Sequence, residues 1–126
     1  MYQIQAAYIE LSSSCNLKCR HCYNNSGVGS VNSIDQTNLI RIVDELAKLG
    51  CKNISLSGGE PLTYGTIIEI IEYISEYTDV RISIVTNATL ISGDFLNQVS
   101  QNLSRGRIVF QVSLDGITAD QHEYLR

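Results

Sequence analysis

The chain has 126 residues, of which 44% are apolar, and a formal net charge of −4 at pH 7, which provides for one domain with a modest core and gives no reason to expect nucleic-acid binding. No stretch approaches the ~20 apolar residues of a membrane-spanning helix, and the N-terminus lacks the charged segment and apolar run of a signal peptide. We therefore expect a cytoplasmic protein without membrane or nucleic-acid partners.

Strand-like and helix-like segments alternate along the chain. Strands with a two-residue apolar period are predicted at about residues 7–12, 53–57, 81–86 and 107–113. Helices are predicted from behind Ser33 to about Leu49, at about 64–77 and 92–103, and from near Thr118 onward. This order predicts an α/β fold in which parallel strands are joined by right-handed helical crossovers.

The predicted helix ends carry their own signals. Ser33 and Gln36 fit a capping box, Gly50 fits a C-terminal stop, and Ser92 is a candidate N-cap of the third helix. The glycine-rich polar stretch 24–32 is predicted to be a mobile loop.

Each predicted strand has one apolar and one polar face. The apolar residues are Ile9, Leu11, Ile54, Leu56, Ile82, Ile84, Ile108, Phe110 and Val112. Fully buried parallel strands are usually apolar on both faces. We therefore expect helices on the apolar side and a polar cavity on the other, as in an open partial barrel and not in a packed (β/α)8 barrel. Glu10 lies on the polar face, as a substrate contact or as a hydrogen-bond anchor.

Three cysteines follow the first strand within one short loop: Cys15, Cys19 and Cys22. Three neighbouring thiols suit a soft metal site in a reducing compartment. They supply three ligands where an iron–sulfur cluster normally has four, which leaves one position for a small molecule. A structural zinc site that adds His21 is the alternative. Cys51 stands apart, and we expect it to be a small buried hydrophobe.

Unusual residues also follow the other three strands. Gly58-Gly59-Glu60-Pro61 follows the second strand, Thr86-Asn87-Ala88 ends the third, and Ser113-Leu114-Asp115-Gly116 ends the fourth. The carboxyl ends of parallel strands meet at one edge of the sheet, where ligands bind in such folds. The four clusters are therefore predicted to form one site.

The spacing Cys15-x3-Cys19-x-His21-Cys22 resembles that of the radical S-adenosylmethionine (SAM) enzymes, in which the residue before the third cysteine is commonly aromatic. The resemblance implies a [4Fe–4S] cluster held by the three cysteines, with SAM on the fourth iron and His21 among the cofactor-binding residues. It also implies that SAM is reductively cleaved to a 5′-deoxyadenosyl radical, which abstracts hydrogen from a substrate.

The same resemblance extends to the later clusters. It implies that Gly58, Gly59 and Glu60 contact the SAM amino group through backbone acceptors and the carboxylate. It places Asn87 near SAM, although Ala88 departs from the glycine that is frequent at this position.

Ser113 and Asp115 resemble groups near the SAM ribose. Arg126, in a His-Glu-x-x-Arg sequence with His122, resembles an arginine that could pair with the SAM carboxylate; the alternative is a solvated helix arginine. A structural role is predicted for His122.

The resemblance identifies residues 1–126 as the N-terminal portion of a radical SAM partial (β/α) barrel, truncated to about four strands. The Ser-Leu-Asp-Gly sequence favours the subgroup that modifies peptides and carries further clusters (the SPASM type). A haem-pathway or other small-molecule substrate and a zinc-stabilised binding domain without turnover are the alternatives. A one-electron reductant such as flavodoxin or ferredoxin is implied. The open edges of the first and fourth strands predict self-association of this portion. The later strands that normally complete SAM binding lie outside it, which predicts little activity for this portion alone.

Overall fold

The computed structural model describes residues 3–27 and 32–126. Within these ranges four strands alternate with four helices, in the predicted order. The elements are β1 (Ala6–Glu10), α1 (Gln36–Lys48), β2 (Asn53–Ser57), α2 (Ile67–Tyr77), β3 (Arg81–Thr86), α3 (Gly93–Ser104), β4 (Ile108–Val112) and α4 (Ala119–Leu125). The second and third strands coincide with their predicted bounds, whereas the first begins one residue earlier and ends two residues earlier than predicted.

The strands form one parallel sheet in the order β1-β2-β3-β4. The register aligns the apolar residues across all four strands in a row made of Ile9, Leu56, Ile84 and Phe110. The α/β class with four parallel strands is therefore confirmed. β1 and β4 are the outer strands of the described sheet, and self-association through their edges stays a prediction.

The core lies between the apolar face of the sheet and the first three helices. It contains the predicted strand residues together with helix residues of α1, α2 and α3, among them Leu39, Val43, Ile67, Ile70, Ile71, Ile74, Phe95 and Val99. Val112 departs from the prediction because its side chain is 51% exposed. The helix that follows it, α4, buries none of its residues and so provides no apolar cover for the end of β4.

Two helix starts were predicted wrongly. The N-cap of α1 is Asp35 and not Ser33, since the Asp35 carboxylate accepts the Asn38 amide at 3.0 Å. An ionised carboxylate at this position also interacts favourably with the positive end of the helix dipole. The hydrogen bond from the Asn38 amide lowers the pKa of Asp35. The second helix starts at Ile67, after a single 3₁₀ turn at Pro61–Thr63.

Two other helix ends agree with the sequence. Gly50 follows the C-cap of α1 with φ of 84°, in the left-handed region that favours glycine. The hydroxyl of Ser92 accepts the amide of Phe95 at 3.1 Å and so caps α3.

The predicted mobile loop 24–32 lies partly outside the described residues, which omit 28–31. Its described ends are attached to the cysteine loop by backbone hydrogen bonds. Cys15 N–H donates to Gly27 O at 3.3 Å, and Ser13 N–H donates to Asn32 O at 2.9 Å. In the described part of the chain, no helix has both the length and the apolarity needed to cross a bilayer.

Arg107 fixes the C-terminus of α2. Its Nη2 donates to the carbonyl oxygens of Thr78 at 2.5 Å and of Ile74 at 3.4 Å. The last carbonyls of a helix have no partner within the helix, so a cation at this end stabilises it. We expect Arg107→Met to lower the free energy of unfolding by about 1–2 kcal/mol. Chemical denaturation should show the loss, and Arg105→Met, at the exposed C-cap of α3, should cost less. Equal effects of the two substitutions would contradict this role.

Candidate functional site

A cavity of about 220 Å³ opens at the carboxyl ends of the four strands. Its walls contain residues that follow every strand of the sheet, including most of those singled out in the sequence. They are Cys15, Cys19, His21, Cys22, Gly58, Gly59, Thr86, Asn87, Ser113, Asp115 and Arg126, together with Tyr8, Leu17, Tyr23, Asn24, Ser57 and Val85. The structure therefore brings four segments that are far apart in the chain to one place.

The three cysteines lie on an irregular loop, which backbone hydrogen bonds attach to other segments of the chain. All three thiols are free, and Cys15 is buried whereas Cys19 and Cys22 are partly exposed. The amide of Cys22 donates to the Cys19 carbonyl at 3.2 Å, and the Cys15 sulfur accepts the Leu17 amide at 3.4 Å. Burial raises the pKa of the Cys15 thiol; the Leu17 amide opposes the shift, and Glu60 and the other two thiols add to it.

Gly58 and Gly59 pack directly against the backbone that leads into the cysteine loop. The amide of Gly59 donates to Ser12 O at 2.8 Å. A Cβ atom on Gly58, whose φ is 138°, would lie 2.3 Å from Ser12 O, and one on Gly59 would lie 2.2 Å from Ser14 O. The two glycines are thus required for close approach of two backbone segments, in addition to lining the cavity. The sequence analysis assigned these glycines only to a ligand contact, and their packing against the cysteine loop was not predicted.

Glu60 is 1% exposed, and its carboxylate is engaged by the protein itself. Oε1 accepts the hydroxyl of Thr86 at 2.6 Å and the amide of Leu62 at 3.1 Å, and Oε2 accepts the amide of Asn87 at 2.8 Å. The expected contact with the SAM amino group is untested. In this structure the carboxylate instead joins the loop after β2 to the end of β3, which positions Asn87.

Asn87 is held in a polar network that reaches the cysteine loop. Its Nδ2 donates to Asn16 Oδ1 at 3.0 Å, and Asn16 Nδ2 donates to the hydroxyl of Thr89 at 2.8 Å. The Asn87 Oδ1 accepts both the amide and the hydroxyl of Thr89, at 2.9 and 2.6 Å. Asn16 and Thr89 are site residues that sequence reasoning missed. The feature of the sequence that could have identified Asn16 is its position directly after Cys15.

Ala88 adopts φ of 65°, a left-handed conformation that costs a non-glycine residue roughly 1–2 kcal/mol. Glycine would relieve this strain but would lose more chain entropy on folding, by ~0.5–1 kcal/mol. We therefore expect Ala88→Gly to raise the free energy of unfolding by up to about 1 kcal/mol in denaturant titrations. Ala47→Gly inside α1 is the matched control and should lower it by a similar amount. Destabilisation by both substitutions would contradict the strain at position 88.

His21, Asp115 and Arg126 form a charged cluster across the cavity. Asp115 Oδ2 lies 2.6 Å from Arg126 Nη2, and Asp115 Oδ1 lies 3.3 Å from His21 Nε2. Arg126 also donates to the Ser113 carbonyl at 3.0 Å. The alternative of a solvated helix arginine is wrong, because the Arg126 side chain is only 13% exposed. In this structure Asp115 and Arg126 pair with each other, and their expected contacts with the SAM ribose and carboxylate stay predictions.

Two further residues now have partners. The imidazole Nδ1 of His122 accepts the amide of Asp115 at 3.2 Å, which confirms a structural role. Glu10 Oε1 accepts the hydroxyl of Tyr23 at 3.2 Å, so this carboxylate acts as a hydrogen-bond anchor for a residue that lines the cavity. Cys51 is 3% exposed and packs in the core, as expected.

The three thiols match the ligand number of a [4Fe–4S] cluster that keeps one iron open. A tetrahedral zinc site would also need His21, whose Nε2 lies 3.3 Å from Asp115 Oδ1. A [4Fe–4S] cube offers a separate iron to each thiolate, so three thiols on one cavity wall suffice. The buried Nε of Arg126 meets no acceptor in the described part of the chain, which leaves a donor for a bound group at this wall.

The sequence comparisons agree with this site. The family profile described as "Radical SAM superfamily" matches residues 9–126. The AdoMet-dependent heme synthase of Methanosarcina barkeri is 33% identical over 119 residues, which cover 93% of this chain and 33% of that protein. The antilisterial bacteriocin subtilosin biosynthesis protein AlbA of Bacillus subtilis is 27% identical over 120 residues, which cover 95% of this chain and 26% of that protein. The chain thus spans about a third of the length of the curated relatives it matches.

Among solved structures, Streptococcus suis SuiB bound to its precursor peptide SuiA superposes on 98% of this chain with a TM-score of 0.82. The two chains are 24% identical, and the match covers 27% of SuiB. This similarity shows a shared fold for the sheet and helices described above.

Proposed function

This chain belongs to the radical SAM superfamily, and on this premise we propose that it forms the N-terminal portion of the partial barrel in a radical SAM enzyme that modifies a peptide. The single observation that carries the proposal is the shared cavity. Cysteines after β1, two glycines after β2, Asn87 after β3 and the Ser113–Asp115 segment after β4 all line it. Ligands bind at this edge of parallel α/β sheets.

Cys15, Cys19 and Cys22 would hold a [4Fe–4S] cluster, with SAM at the remaining iron. When bound, these cofactors supply one-electron reduction of SAM and a 5′-deoxyadenosyl radical for hydrogen abstraction from the substrate. A flavodoxin- or ferredoxin-type protein is the proposed reductant.

The residues of the chain itself position and enclose these groups. Gly58 and Gly59 bring the backbone of the β2 loop to the cavity wall without side chains, so main-chain carbonyls of this loop would be accessible to the amino group of SAM. The side-chain amide of Asn87 donates to Asn16, the residue after Cys15, and this hydrogen bond holds Asn87 at the cysteine loop. The Glu60 carboxylate connects the loop after β2 to the end of β3. Its Oε1 accepts the hydroxyl of Thr86, and its Oε2 accepts the amide of Asn87.

A peptide substrate is supported by two comparisons of different kinds. AlbA takes part in biosynthesis of the bacteriocin subtilosin, and SuiB was solved with its precursor peptide. The Ser113-Leu114-Asp115-Gly116 sequence with His122 and Arg126 is the additional feature of this chain that resembles peptide-modifying enzymes. The second candidate is a haem-pathway substrate, which the 33% identity to the heme synthase favours.

The cofactor assignment is tested by anaerobic reconstitution of the full-length protein with iron and sulfide. We expect at least four iron atoms per chain, a brown protein whose visible absorption bleaches with dithionite, and reductive cleavage of SAM to 5′-deoxyadenosine. A colourless protein that retains one tightly bound zinc per chain would overturn the proposal in favour of a zinc-stabilised binding domain.

The substrate class is tested with the reconstituted enzyme, dithionite and SAM. A pooled synthetic peptide library is added in one arm, and an iron-containing tetrapyrrole in the other. Peptide modification is expected to appear as increased 5′-deoxyadenosine formation together with peptides of altered mass. Stimulation by the tetrapyrrole alone would replace the peptide assignment with the haem-pathway alternative.

A further inference from the structure

The segment after β4 is attached to the cysteine loop at several points. The backbone amide of Arg20 donates to the Leu125 carbonyl at 2.8 Å, and the Arg20 guanidinium lies 4.5 Å from the centre of the Tyr124 ring. His21 reaches Asp115 from the same loop. The C-terminal end of α4 therefore lies against the stretch between the second and third cysteines.

Arg126 extends this attachment to a cysteine sulfur. Its Nη1 lies 3.8 Å from the Cys19 sulfur, while its Nη2 is bound to Asp115 and to the Ser113 carbonyl. The guanidinium is held by three acceptors in a side chain that is 13% exposed. A planar, permanently charged group fixed in this way has a defined orientation toward the sulfur.

We propose that Arg126 is a positioning residue that raises the reduction potential of the cluster through the Cys19 sulfur, with Asp115 holding its guanidinium in place. The inference rests on the proposed function, because it requires that Cys19 bind the cluster. Reduction adds negative charge to the cluster and its thiolates. A nearby cation that donates an N–H group to a ligand sulfur favours the reduced form, and such hydrogen bonds are among the determinants of iron–sulfur potentials.

Asp115 is predicted to act on the cluster only through Arg126. Its carboxylate partly compensates the guanidinium charge, and it also fixes the side chain near Cys19. Replacing Asp115 with asparagine keeps the shape of the side chain and removes the ion pair. The arginine is then free to leave the sulfur.

The test compares cluster potentials in the reconstituted full-length protein, using redox titration followed by electron paramagnetic resonance. The variants are Arg126→Gln, Arg126→Lys and Asp115→Asn. The matched control is Arg105→Gln, which removes the same charge at the end of α3, at the other end of the strands from the cavity. Iron content is measured first, so that a failure to bind any cluster in the unsubstituted protein is recognised as failure of the proposed function and not of this inference.

We expect Arg126→Gln to shift the midpoint potential to more negative values while iron content is retained. Arg126→Lys should produce a smaller shift in the same direction, and Arg105→Gln should produce none. An unchanged potential in Arg126→Gln, or a shift of equal size in the Arg105 control, would overturn the proposal. Loss of the cluster from both Arg126 variants in folded protein would also overturn it, since Arg126 would then be a structural anchor of the loop.

Discussion

Replacing Cys19 with alanine is expected to abolish reductive cleavage of SAM by the full-length enzyme. On the proposed function the three thiols in the cavity hold the cluster and SAM takes the fourth iron, and the described residues contain no further cysteine near the site that could replace a lost ligand. The remaining cysteine of the chain, Cys51, is buried in the core. 5′-Deoxyadenosine formation, measured after anaerobic reconstitution, should fall to the background of protein without iron.

Cys51→Ala is the matched control for this substitution. It removes a thiol of the same size from a site outside the cavity, where the Cys51 sulfur lies 3.2 Å from the Asn53 carbonyl. It should leave the iron content and SAM cleavage intact and cost about 1 kcal/mol of stability through the small void. SAM cleavage that persists in Cys19→Ala would refute the assignment of this cysteine as a ligand.

Gly59→Ala is expected to destabilise the cysteine loop and to remove most of the bound iron. The new methyl group would lie 2.2 Å from the Ser14 carbonyl oxygen and 2.9 Å from the Cys15 Cβ atom. The Ser14 carbonyl is fixed by the Glu60 amide at 2.9 Å, so it is a backbone atom with little freedom to move away. Overpacking of this kind costs about 3 kcal/mol, and the displaced atoms belong to Ser14 and to Cys15, the first cysteine of the loop.

Gly65→Ala supplies the control, because a methyl group there would meet nothing within 4 Å. Thermal unfolding and iron content are measured for both variants of the full-length protein. Gly65→Ala should behave as the unsubstituted protein does. If Gly59→Ala kept both its iron and its unfolding temperature, the tight packing of the β2 loop on the cysteine loop would be contradicted.

Local sequence signals were sufficient for most of the fold. The two-residue apolar period located all four strands, since Ile54, Leu56, Ile82 and Ile84 must each face the same layer of helices. The N-cap of α1 was predicted wrongly where two capping residues lie close together in the sequence. Asp35 and not Ser33 is the N-cap because the helix begins at Gln36, so Asp35 is the residue directly before it and its side chain reaches the Asn38 amide.

The convergence of the site could also be predicted, because parallel strands bring their carboxyl ends together whatever the loops contain. The hydrogen-bond and ion-pair partners inside the site could not be predicted. Nothing near Glu60 in the sequence indicates that its carboxylate accepts donors from Thr86 and Asn87. The pairing of Asp115 with Arg126, and the approach of Arg126 to Cys19, likewise depend on how α4 folds back over the sheet.

The cysteine loop has little regular structure of its own and takes its shape from hydrogen bonds to residues that the ribosome adds later. Its backbone is fixed by Gly59 and Glu60, and its far side by Leu125. During synthesis the thiols therefore emerge long before the groups that arrange them. On the proposed function, we therefore expect cluster assembly to follow translation of at least the β2 loop, with the three thiols open to oxidation and to competing metals until then.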